Sequence, residues 1–61
     1  MKNTEIYQRL NNPSVVKGYA QMIRNSELHI VRDLRKNITE QANDHPKFET
    51  LETLFKERLG E

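Results

Sequence analysis

No cysteine occurs anywhere in the chain. Neither a disulfide nor a thiolate metal ligand can brace it, and a reducing compartment, the cytoplasm, is the expected setting. No apolar run approaches the ~20 residues that a membrane span needs. The opening "MKNTEIYQRL" lacks the apolar core of a secretory signal, so no membrane partner is expected. Glycine is confined to Gly18 and Gly60 and proline to Pro13 and Pro46. No Gly-rich phosphate loop can therefore be built. Strands find little support either, because Leu, Ile and Val recur at helical rather than two-residue spacing.

What is present is 61 residues, 31% of them charged, with a net charge of +1. A chain of that length hides only ~60% of the surface its unfolded form exposes, so one small domain, residues 1–61, is expected, with a second copy as a natural source of further burial. The charge is unevenly spread. Residues 1–36 hold seven cations against three anions, and residues 37–61 hold three against six. The arrangement suits pairing of one half with the other, or with another copy, as well as it suits a basic binding surface.

The fold class read from these patterns is all-α. A short N-terminal helix over "NTEIYQRLNN" stacks Ile6 on Leu10. Asn12-Pro13 then marks a start, with a capping side chain before a proline whose missing N–H costs nothing in the first turn. Helical spacing continues to Ala42, and "ANDHP" ends it, since the residue before Pro46 is pushed out of helical geometry. An antiparallel C-terminal helix over 46–59 follows, with Glu49 in its first turn and Gly60 at its end.

Within 13–42 the row Val16, Ala20, Ile23, Glu27, Ile30, Leu34, Ile38 places one carboxylate in the middle of an apolar face. The apolar residues before Arg24 and those after Leu28 point in directions about a quarter of the helical wheel apart. Two structures accommodate the turn. Either the helix breaks at Asn25-Ser26, with Ser26 as the new cap and Glu27 in the first turn, or one helix of ~45 Å shows its halves to two partners. Side by side, two such helices would oppose Glu27 to itself, which is unfavourable in a half-buried seam.

Chemistry-bearing motifs are scarce. Arg32, Arg35 and Lys36, with Asp33 among them, read as a solvated face rather than a polyanion site. His29 and Asp33 stand at i, i+4 without a third ligand, so no metal is expected; Ser14 and Ser26 occupy helix starts and have no histidine base at a suggestive spacing. No cofactor and no catalytic residue is assigned. The stretch "LRKNITEQANDHPKFETLETLFKERL" is similar in length, loop and a Pro-Lys after the turn to the short helical-hairpin phosphatases that act on aspartyl-phosphate response regulators in sporulating bacteria. Their Ser-Gln-x-x-Asp motif has no counterpart in "LETLFKE", and the similarity implies no activity here.

The expectation is thus a small helical regulator, a homodimer, docking an amphipathic helix against a larger protein such as a transcription, replication or signalling factor; a bacterial or phage modulator would have this size. Val15, Tyr19, Met22 and Arg24 are the partner-binding candidates, since aromatic and arginine side chains dominate hot spots. Val16, Ile23, Ile30, Val31, Leu34, Ile38, Phe48, Leu51 and Phe55 are the core or dimer candidates. The alternative is nucleic-acid binding by the basic half, with Lys17, Arg24 and Arg35 aligned if the helix is continuous.

Overall fold

The computed structural model describes residues 5–61 and, among them, four helices and no strand: α1 (Glu5–Arg9), α2 (Pro13–Asn25), α3 (Leu28–Ala42) and α4 (Phe48–Leu59). Lys2, Asn3 and Thr4, which fall in the basic half and at the start of the predicted N-terminal helix, lie outside the described residues.

The start of α2 follows from Asn12-Pro13. Asn12 is extended, its Oδ1 accepts the Ser14 N–H at 2.9 Å, and Pro13 opens the helix. The end of α4 follows from Gly60, which adopts φ 77° so that the Glu61 N–H reaches back to the Lys56 carbonyl at 2.9 Å. That left-handed turn is available to glycine without strain. Gly18 is the opposite case, exposed in the middle of α2 with open space where a Cβ would stand. Thermal melts should therefore move in opposite directions: Gly18→Ala is expected to stabilise by ~0.5–1 kcal/mol through helix propensity, and Gly60→Ala to destabilise by ~1 kcal/mol through left-handed strain.

The long segment 13–42 is broken where its apolar face turns. Ser26 and Glu27 are both extended, at φ/ψ of −86/161° and −65/154°. The expected cap, however, is one residue off: Ser26 ends α2, its N–H bonded to Met22 O at 2.9 Å, and Glu27 is the N-cap of α3, with no capping bond from its side chain. A carboxylate that the periodicity put in an apolar row is in fact 79% exposed at a corner.

Pro46 also does not open the last helix. It lies with Lys47 in a turn, and α4 begins at Phe48. The physical reason is His45, whose ring Nδ1 accepts the Lys47 N–H at 3.0 Å while its carbonyl accepts from Phe48 N at 2.9 Å. A side chain that bonds the backbone two residues on holds the chain in a turn instead of a helix.

α4 packs on both α2 and α3, and α1 packs on α3, whereas consecutive α2 and α3 barely touch. Leu10, Ile23, Val31, Ile38, Ala42, Leu51 and Phe55 are fully buried between them, and Ile6, Tyr7, Val16, Tyr19, Leu34, Phe48, Leu54 and Leu59 close over that centre. Of the predicted core, Val16, Leu34 and Phe48 sit at its margin. Ile30 lies outside it, 40% exposed, because Val31, Ile38 and Ala42 set the inward face of α3 and leave residue 30 on its flank.

Candidate functional site

Three polar clusters fasten this small core, and they decide which surfaces remain open. The first is Arg35 on α3. Its Nε and Nη2 donate to the two carboxylate oxygens of Glu52 on α4, at 3.1 and 2.9 Å, and its Nη1 donates to Glu61 at 2.8 Å. Arg35 and Glu52 keep only 22% and 23% of their side-chain surface. The bonds from Glu52 first and Glu61 second hold the guanidinium charged beyond arginine's already high range, against the effect of burial. A raised value means that the guanidinium keeps its charge as pH rises, so alkali short of that range does not break the pairing from the arginine side.

The second cluster closes the broken corner. Arg58, in the last turn of α4, donates from Nη2 to Ser26 O at 2.7 Å and from Nε to Arg24 O at 3.3 Å. Carbonyls at a helix end have no intrahelical partner, and a cation there also suits the helix dipole. The corner is thus held by a side chain more than thirty residues away.

The third cluster is His45, buried to 5% exposure. Because Nδ1 accepts from Lys47 N–H, Nε2 carries the proton and donates to Asn11 Oδ1 at 2.8 Å. The Tyr7 ring meets the imidazole edge-on at 4.6 Å. The segment that joins α1 to α2 is thereby tied to the turn between α3 and α4.

Against this background the partner-binding candidates divide. Val15 and Tyr19 are half-buried, with Tyr19 packed against the core, whereas Met22 is 43% exposed and Arg24 is exposed. The other exposed large apolar side chains are Leu28 and Ile30, at 42% and 40%. All three, among the described residues, lie within four positions of the Ser26–Glu27 corner. Beside it a shallow open depression of about 210 Å³ is lined by Ile23, Arg24, Leu54, Glu57 and Arg58. That is below the ~300 Å³ at which enclosed small-molecule pockets begin, so the shape suits a side chain of a partner better than a metabolite.

The alignment that a nucleic-acid site required is not formed. The break takes Lys17 and Arg24 out of line with Arg35, and Arg35 is engaged by two carboxylates rather than solvated beside Arg32 and Lys36. His29 Nε2 lies 3.9 Å from Glu27, an exposed and weak contact, and among the described residues no three His, Cys, Asp or Glu side chains gather as metal ligands. No helix among them is long and apolar enough to cross a membrane.

Leu28 carried no functional assignment in the sequence, although its place at the start of a new helix could have raised it. Comparison with family models, curated proteins and solved structures finds no match for the chain.

Proposed function

We propose that this chain is a non-catalytic regulatory module that binds a larger protein of the transcription, replication or signalling class, changes its activity, and also pairs with a second copy of itself. The observation that supports the reading is the exposure of Met22, Leu28 and Ile30 at one corner of a molecule whose other large apolar side chains are half-buried or buried among the described residues. Arg24 at the edge of the depression supplies the cation common in protein–protein hot spots. The partner would present an apolar side chain to the corner and a carboxylate to Arg24.

The test is a comparison of the native chain with a triple variant, Met22→Ser, Leu28→Ser, Ile30→Ser. Proteins retained from the source cell by the native chain are identified, the most abundant is purified, and its affinity for both is measured. A loss of at least about tenfold, with an unchanged thermal melt, is expected when surface anchors are removed. Equal retention of the same proteins by the triple variant would overturn the assignment.

A further inference from the structure

We propose that the Ser26–Glu27 corner is a hinge that straightens, fusing α2 and α3 into one helix, and that a second copy of this chain covers the surface so released by exchanging its α1–α2 segment. The inference rests on the self-pairing part of the proposed function, and because the second copy covers part of the apolar corner assigned to the larger partner, the two compete there.

The corner is two residues long and contains neither glycine nor proline. Nothing in its covalent structure prevents helix, and glutamate is a good helix former. The start of α3 is moreover poorly finished: Glu27 makes no capping bond, no acidic residue occupies the first turn, and the N–H groups of Glu27, Leu28 and His29 enter no hydrogen bond among the described residues. In a fused helix these donors would meet the carbonyls of Ile23, Arg24 and Asn25, the i−4 partners that helix geometry supplies.

What opposes fusion is Arg58, which occupies Arg24 O and Ser26 O. It competes for the carbonyls that Leu28 N–H and Ile30 N–H would take, and so acts as the latch of the bent form.

The packing that straightening disrupts can be remade between copies. α2 packs on α4 and α1 on α3, while α2 and α3 barely touch. An α1–α2 segment swung away from its own α3–α4 pair therefore finds the same two surfaces on a second chain, which is the condition for exchange of an identical element. On the fused helix, at about 100° per residue, Ile30 lies about 60° from Glu27, on the side where two straightened helices would cross, and becomes covered there. Met22, about 140° from Glu27, stays outside the crossing. Glu27 also approaches its counterpart near the two-fold axis, and repulsion between the carboxylates favours the bent monomer in dilute solution.

Two substitutions at one position separate the states. Glu27→Pro suits the bend, since φ is −65° at residue 27, Ser26 is already extended, and the missing N–H has no partner to lose. It cannot continue a helix. Glu27→Leu removes the repulsion and restores the row from Ile23 to Ile30.

The full chain and both variants are refolded from denaturant at about 1 mM, where mass action favours association, and then sedimented across a dilution series. Spin labels on Ser14→Cys and Thr39→Cys, in chains diluted with unlabelled protein, report the intrachain distance. The expected result is a wild-type dimer, strengthened roughly tenfold or more by Glu27→Leu and weakened by at least as much by Glu27→Pro. In the dimer the labelled sites should stand about 37 Å apart, 25 residues at 1.5 Å, beyond the 30 Å longest dimension of the bent chain. A dimer that keeps the short distance and is indifferent to Glu27→Pro overturns the exchange while leaving self-pairing in place. A Glu27→Leu chain that stays monomeric at the highest concentration overturns both.

Discussion

Replacing Phe55 by alanine is expected to remove a large share of the molecule's stability at room temperature. Phe55 is the largest fully buried side chain, and its helix packs on both α2 and α3. Truncation of a buried phenylalanine costs ~3–5 kcal/mol through forfeited transfer energy and the cavity left behind. A domain of this length holds only ~3–9 kcal/mol at ordinary stabilities per residue. Urea titration followed by helical circular dichroism should show the transition moved to much lower urea, with a shortened native baseline. Phe55→Leu, which keeps most of the volume, should retain a cooperative transition at lower urea. If Phe55→Ala melted like the native chain, the centre of the core would have to lie elsewhere.

The second large effect is expected at Arg35. Arg35→Ala leaves Glu52, at 23% side-chain exposure, without the guanidinium that holds both its oxygens, and deprives Glu61 of its partner. A fully buried pair broken in this way costs ~3–5 kcal/mol. Partial exposure should bring this one to ~1.5–3 kcal/mol. Arg35→Lys should recover only part of it, since an ammonium cannot donate along two parallel lines to one carboxylate and also reach a second. A double-mutant cycle between Arg35→Ala and Glu52→Ala measures the coupling directly. A coupling energy near zero would mean that the bidentate geometry contributes nothing beyond packing.

Local signals carried much of this fold. Asn12-Pro13 and Gly60 act within a few residues, and each produces the boundary its chemistry predicts. The phase shift between the apolar residues on either side of Arg24 likewise marks a true break. What escaped a linear reading depends on side chains far along the chain. Ser26 is the better cap by residue type, but Arg58, 32 residues on, bonds its carbonyl, and the cap position falls to Glu27. Arg35 shares a polar stretch with Arg32 and Lys36, and only the packing of α4 shows that Glu52 takes it out of that set. Pro46 carries a helix-start signal that is overridden by the ring of the preceding His45.

The functional surface was less legible, because exposure is a property of the assembled molecule. Tyr19 and Met22 lie three residues apart and share an amphipathic pattern, yet one packs on the core and the other faces outward. Leu28 fits the apolar face of its segment on the helical wheel, and the break, by placing it in the first turn of α3, leaves it 42% exposed.

The two histidines are in contrasting settings, His29 exposed on α3 and His45 enclosed by Tyr7, Asn11 and the backbone of Lys47. Their ring signals should therefore be well separated in an NMR spectrum. Since the His45 tautomer is fixed by one donor and one acceptor from different parts of the chain, its ring nitrogens report the closure of the molecule as a single observable. Loosening of the segment between α1 and α2 would change the Nε2 signal while the helical dichroism stayed nearly constant, separating partial opening from global unfolding without any introduced probe.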